Sequence, residues 1–312
     1  MATLAGATVL VTGGAGFIGS HLVDALVGDN AVRVLDDLSA GDRQRLPDAA
    51  ALVEGDVRDP ATVREAAAGA DVVFHEAALV NVERSVEDPG ESQAVNVGGT
   101  LNVLEAARET GARVVLASSA AIYGRPERLP VAEDDPKRPR SPYGLDKLAA
   151  DHYARLYHEL YGVETVALRY FNVYGPRQTG GPYSGVIGIF TRQALSGEPV
   201  SVHGDGTQTR DFVHVDDVVR ANLAAATADA AGVAVNVATG ASVTVRELAE
   251  RIVELAGSDS AITHVEPREG DVDRSRADVS RAAEVLGYAP SVELDDGLAD
   301  YIEWYRAAGG FD

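Results

Sequence analysis

The chain has 312 residues, with 27 Lys plus Arg against 48 Asp plus Glu and no cysteine. The missing thiols exclude disulfide frameworks, cysteine nucleophiles and Cys-ligated zinc or iron–sulfur sites. A formal net charge of −21 argues against nucleic acid as a partner, because binding a phosphate backbone needs clustered cations that displace its counterions. Only two of the basic residues are lysines, Lys137 and Lys147. Strong acidity with scarce lysine resembles the proteins of salt-loving microbes; ordinary acidity with a codon bias toward arginine is the competing reading.

From Met1 to Val23 there is no Asp, Glu, Lys or Arg. The stretch lacks a basic leading region and carries Gly6, Gly13, Gly14, Gly16 and Gly19, so it reads as a strand and tight turn instead of an export signal. Elsewhere no charge-free apolar run approaches the ~18 to 20 residues of a membrane helix. A cytoplasmic enzyme is expected.

Short β-branched or apolar runs alternate with helical stretches. Strands are predicted at Thr8–Thr12, Val32–Asp36, Leu52–Glu54, Asp71–Glu76, Arg113–Ser118 and Glu164–Tyr170. Helices are predicted at Gly19–Leu26, Pro60–Ala68, Val95–Thr110 and Tyr143–Tyr161. Near-continuous hydrophobic strands separated by helices specify a doubly wound parallel α/β sheet covered on both faces. Beyond Tyr170 the pattern loosens into loops at Gly175–Gly185 and Pro199–Gly206. A strand–helix unit at Asp211–Ala224 and a strand at Val233–Val237 return to the sheet, and helices near Val245–Leu255, Arg281–Leu286 and Gly297–Arg306 close the chain. The expected layout is a nucleotide-binding Rossmann domain of residues 1–174 plus about 211–241. A smaller, discontinuous C-terminal lobe of about 175–210 plus 242–312 would cover the carboxyl edge of the sheet, where ligands of open α/β folds bind.

The first strand runs into Thr12-Gly13-Gly14-Ala15-Gly16-Phe17-Ile18-Gly19 and then a helix. Gly13 and Gly16 permit a left-handed turn and close approach of backbone N–H groups to a pyrophosphate, and Gly19 lets helix and strand pack tightly. Asp36 ends the second strand, where a carboxylate accepts from both adenine-ribose hydroxyls and repels a 2′-phosphate, which favours NAD over NADP; a turn-forming aspartate is the alternative. Asp56 and Val57 follow the third strand at the same sheet edge and are candidates to bracket the adenine.

Tyr143 and Lys147 lie four residues apart on a helix, hence on one face. A lysine here is informative in a chain that otherwise uses arginine: a compact ammonium near a phenol stabilises the phenolate, and an oxidised nicotinamide adds to the effect, giving a base near neutral pH. Ser119 ends the strand before that helix and is placed to hydrogen-bond the same substrate hydroxyl. Its competing role is a strand-end cap.

These residues resemble the extended short-chain dehydrogenase/reductase family, in its NAD-dependent epimerase/dehydratase group. The likeness extends through Val73-Phe74-His75-Glu76-Ala77-Ala78, Asn96-Val97-Gly98-Gly99-Thr100, Arg169 to Pro176, Gly204-Asp205-Gly206-Thr207, Arg210-Asp211-Phe212 and Arg268-Glu269-Gly270-Asp271. It implies a UDP-sugar 4-epimerase with NAD as cofactor; another nucleotide-sugar oxidoreductase, epimerase or dehydratase of the same group is the alternative. Gly13, Gly16, Phe17, Ile18, Gly19, Asp36, Asp56, Val57, Ala77, Ala78, Asn96, Tyr143, Lys147 and Tyr170 would line the cofactor. Ser119, Asn172, His203, Arg210, Arg268 and Asp271 would meet the nucleotide sugar, the arginines clamping its diphosphate with planar forks. Dehydratases of the group carry an acidic pair right after the active-site serine or threonine, where this chain has Ala120 and Ala121, which disfavours elimination. A bulky aromatic that restricts the sugar pocket in the epimerases is replaced by Ser275, which implies room for a 2-acetamido group.

The predicted helices at Val95–Thr110 and Tyr143–Tyr161 are more apolar than one buried face requires. A homodimer through a four-helix bundle, as in the family, is expected; burial beneath the C-terminal lobe is the alternative.

Overall fold

The computed structural model describes residues 4–178, 185–267 and 272–309. In chain order the first half runs β1 (Thr8–Thr12), α1 (Phe17–Leu26), β2 (Ala31–Asp36), β3 (Ala51–Glu54), α2 (Pro60–Ala67), β4 (Val72–His75), α3 (Val82–Glu87), α4 (Pro89–Gln93), α5 (Gly99–Thr110), β5 (Arg113–Ser119), α6 (Pro142–Tyr161) and β6 (Thr165–Tyr170). The second half runs β7 (Asn172–Tyr174), α7 (Val186–Leu195), β8 (Val200–His203), β9 (Thr209–Arg210), β10 (Phe212–His214), α8 (Val215–Thr227), β11 (Val233–Val237), β12 (Val243–Thr244), α9 (Val245–Leu255), β13 (Ile262–Val265), α10 (Ser280–Leu286) and α11 (Leu294–Ala307).

Seven strands form one sheet in the order β11-β6-β5-β4-β1-β2-β3, and every pairing is parallel. The order reverses between β1 and β4, the switch point at which open α/β sheets bind ligands. One face packs Val9, Val11 and Phe74 against Leu22 and Leu26 of α1 and Val218 of α8; the other packs Leu10, Leu35 and Val73 against Val63 of α2 and Leu104 of α5. A separate apolar cluster joins Phe190 of α7, Leu248 and Ile252 of α9, and Leu298 and Tyr301 of α11.

Local sequence explains the helix ends that matter for the site. α6 begins at Ser141, whose hydroxyl accepts from Gly144 N–H at 3.1 Å, has Pro142 in its first turn, and stops at Gly162 in left-handed conformation. The predicted Val95–Thr110 helix differs: Ala94–Gly98 is a π turn, and the α-helical part starts at Gly99. A Cβ on Gly99 would come to 2.7 Å from Val57 Cγ2, so the tight packing of this segment on the third βα loop needs a glycine. The predicted loop Pro199–Gly206 contains β8, which pairs in parallel with β13, a strand that periodicity alone did not reveal.

The C-terminal segment also stitches the flank of the sheet. Val131 N–H donates to Arg276 O and Asp278 N–H to Val131 O, each at 2.8 Å, so Val131 and Ala277 form a parallel bridge.

Candidate active site

The glycine turn is built as its spacing requires. Gly13 has φ +69°, and a Cβ there would lie 2.6 Å from the Ala77 amide nitrogen; a Cβ on Gly19 would meet Gly13 O at 2.2 Å. α1 starts from Gly16, with no side chain capping it and no acidic residue in its first turn. Its leading N–H groups, including those of Phe17 and Ile18, are therefore oriented as an anion site with the positive end of the helix dipole behind them.

Asp36 closes this loop from β2. Its carboxylate accepts from Ala15 N–H and from Leu38 N–H, each at 2.9 Å, and Leu38 has φ +57°. The side chain thus shapes both the turn after β2 and the glycine loop, and burial, the largest influence, holds its carboxyl above the usual value. Asp56 turns back on Arg58 Nε at 2.8 Å, while Val57 is buried and its carbonyl accepts from Asn102 Nδ2 at 2.9 Å. Ala77 N–H donates to Thr12 Oγ1 at 3.3 Å, which fixes the start of the Ala77-Ala78 segment over β1. Asn96 is buried and clamps the backbone of Leu79, accepting from its N–H at 2.9 Å and donating to its carbonyl at 3.1 Å. That amide orders the loop behind the two alanines.

Ser119 leaves the end of β5, where its hydroxyl accepts from Ala121 N–H at 3.1 Å and its side chain lies near enough to the Tyr143 phenol to influence it. It is both the cap of the turn Ala120–Tyr123 and the neighbour of the tyrosine. The main chain of Tyr143 is held by Ser85 Oγ at 3.2 Å. Lys147, buried one turn later, donates from Nζ to Ala117 O at 2.9 Å. Burial lowers its ammonium to about 8, against the opposing fields of Glu76 and Asp146. Burial also pushes the Tyr143 phenol above its usual value, and the neighbouring Ser119 side chain recovers part of that rise. The depression expected from Lys147 is therefore not what the protein's own groups produce: dehydration dominates, and the ammonium is directed at a strand carbonyl.

Tyr170, at the end of β6, donates to Glu76 Oε1 at 2.8 Å and accepts from Asn222 Nδ2 at 2.7 Å. Asn172 ties β7 to β10 by donating from Nδ2 to Asp211 O at 3.0 Å. Arg210 donates from Nη1 to the carbonyls of Thr209 and Val272 at 2.8 and 2.6 Å, and Ser275 N–H donates to Thr209 O at 3.1 Å, which sets Ser275 beside Arg210. His203 Nδ1 lies 2.8 Å from Glu266 O at the end of β8. Arg268 and Asp271 lie outside the described residues.

Two residues inside the family motifs, Arg169 and His75, anchor buried clusters to which the motifs assign no role. Arg169, 2% exposed, donates from Nε and Nη2 to Asp151 at 2.9 and 3.0 Å and from Nη1 to Tyr123 Oη at 2.9 Å. His75 sits between Thr12 Oγ1 at 2.7 Å and Thr100 Oγ1 at 3.1 Å, and burial drives its pKa down to about 3. The sequence signal for both is a charged or imidazole side chain inside an otherwise apolar strand.

A switch-point glycine turn, an acidic strand end, and a serine at the end of β5 with a Tyr/Lys pair on the following helix α6 agree with one family model, the NAD dependent epimerase/dehydratase family, which matches residues 9–238. The chain belongs to that family. NAD is its cofactor, and the glycine turn, uncapped helix start and Asp36 fit it. A UDP-glucose 4-epimerase of Mycolicibacterium smegmatis is 42% identical, covering 95% of this chain and 98% of the relative. A dTDP-glucose 4,6-dehydratase of Actinoplanes is 38% identical, covering 96% and 98%. The solved UDP-N-acetylglucosamine 4-epimerase of Methanobrevibacter ruminantium, in complex with UDP-N-acetylmuramic acid, superposes with a TM-score of 0.94 at 36% identity, covering 98% of this chain and all of that one. Among the described residues no helix is long and apolar enough to cross a membrane.

Proposed function

We propose that this family member is a 4-epimerase of UDP-sugars, acting on the glucose/galactose pair or their 2-acetamido counterparts through a transient 4-keto sugar. The observation that carries the reading is the placement of Ser119 at the end of β5 beside the Tyr143 phenol, with Lys147 buried one turn further along α6, in a turn whose next two side chains are the methyls of Ala120 and Ala121. Tyr143 takes the C4 hydroxyl proton, Ser119 orients that hydroxyl and the developing carbonyl, and Lys147 supplies positive charge to the phenolate. NAD supplies a reversible hydride acceptor for C4. Ala120 and Ala121 offer no acid or base for expelling a C6 hydroxyl, which separates this reading from dehydration.

In this proposal residues 175–210 and 242–312 form the substrate lobe, with Arg210 and Arg268 clamping the diphosphate and Asn172, His203 and Asp271 completing the site. Ser275 beside Arg210 supports space for the acetamido group. The active form is a dimer: α6 exposes Leu145, Leu156 and Leu160 at 58, 43 and 63%, an apolar stripe suited to a second copy of α6. The test is incubation of the full chain with UDP-glucose, UDP-galactose and the two UDP-N-acetylhexosamines, with products read by NMR. Interconversion at C4 without net NADH is expected; a 4-keto-6-deoxy product overturns the reading.

A further inference from the structure

Glu76 follows β4 at the point where the strand order reverses, and no role described above uses its carboxyl. Strand ends β4, β5 and β6 deliver Glu76, Ser119 and Tyr170 to the same half of the sheet edge, the half that takes the second nucleotide of a dinucleotide. Glu76 Oε1 accepts from Tyr170 Oη at 2.8 Å, and that hydroxyl is fixed by Asn222 Nδ2 at 2.7 Å, itself donating to Val218 O at 2.9 Å. Asn222 Oδ1 is buried with no hydrogen-bond partner among the described residues, so the amide gives its donors to this arrangement and leaves its acceptor unmet. The groups that face Glu76 are Tyr170 from β6 and Lys147 from α6; Asp146 acts on Lys147, and His75 is turned to Thr12 and Thr100 on the opposite face of β4.

We propose that Glu76 is the protein's charge counterpart to the nicotinamide ring, carrying a carboxylate when the ring is oxidised and a carboxylic acid when it is reduced. This rests on NAD lying across the β1/β4 crevice. The carboxyl is poised for such a change: burial, the largest influence, pushes it up to about 7, with the Tyr170 hydrogen bond and Lys147 opposing. With an oxidised ring bound, its positive charge in a cleft of low dielectric would favour the ionised carboxyl of Glu76; with the neutral reduced ring bound, Glu76 would hold one proton taken up from solvent. Tyr170 suits both states, since its hydroxyl donates to the carboxylate and is held by Asn222 in either.

The experiment uses the full chain carrying 13C at the glutamate carboxyl carbons, loaded in turn with NAD+ and NADH, and followed by NMR from pH 5 to 9. The Glu76 resonance is the one absent from Glu76→Gln. The expected result is a titration midpoint lower by about one pH unit or more with NAD+ than with NADH, a tenfold difference in the ratio of forms. In Tyr170→Phe, which keeps the carboxyl and removes its donor, both midpoints rise and the gap between them persists. Equal midpoints with both nucleotides bound overturn the proposal and leave the epimerase reading intact. Failure of either nucleotide to bind overturns it together with the placement of NAD.

Discussion

Lys147 Nζ donates to the carbonyl of Ala117 at 2.9 Å, two residues before Ser119 on the same strand. The lysine is therefore anchored to the strand that presents the serine, and the helix that carries Tyr143 is registered against it. Replacing Tyr143 with Phe removes only the phenolic oxygen, so turnover should fall by about 10²–10⁴-fold with NAD content and circular dichroism unchanged. Turnover within a few-fold of the parent enzyme would remove Tyr143 from the chemistry.

His75 should make the protein acid-sensitive in a defined window. Its folded pKa of about 3 lies below the ordinary 6.5, so between those values the unfolded chain binds a proton that the native chain does not. Stability contributed by the neutral ring is complete above pH 6.5 and declines as pH falls, by up to about 1.4 kcal/mol per unit. Urea midpoints measured from pH 7 to 4 should fall more steeply for the parent than for His75→Gln.

The Arg169–Asp151 pair is buried on both sides, with side chains 2 and 0% exposed. Asp151→Asn leaves the guanidinium charged without its counterpart and should cost about 3–5 kcal/mol in chemical denaturation. Arg169→Lys should not restore stability, because an ammonium cannot reproduce the two-pronged contact with Asp151 together with the bond to Tyr123.

Gly13→Ala forces a side chain into a φ of +69° and against the Ala77 amide. Loss of bound NAD and a lower melting temperature are expected together. A variant that retains full NAD content would show that the turn is not the phosphate site.

If α6 pairs with a second copy, Leu156→Glu and Leu160→Glu should convert the particle to a monomer in light scattering at constant salt. Unchanged mass would point to another use for that stripe.

The sheet was legible because most of its strands are short apolar runs alternating with helices: strand ends Thr12 and Asp36 fall where the pattern places them, β5 runs one residue past the expected Ser118, and the strand expected after Asp211 to rejoin the sheet is β10, which pairs with β7 outside it. The glycine turn was legible for a steric reason: Gly13 and Gly19 occupy positions that no side chain fits. Glu76 was not, since its partner Tyr170 is far along the chain and only the β4/β6 topology brings them together. Likewise β8 and β13 are four-residue strands whose pairing is a tertiary fact, and the acidity of Tyr143 depends on dehydration that spacing does not encode.

The bridge between Val131 and Ala277 bears on how the enzyme matures during synthesis. All seven sheet strands have been translated once Val237 has emerged, so the nucleotide half has its full complement of strands while the ribosome is still at work. The segment bearing Val131, which runs between the serine turn and the tyrosine helix, gains its anchoring strand only when Ala277 follows. A product truncated before Ala277 would lack this brace beside the turn that carries Ser119.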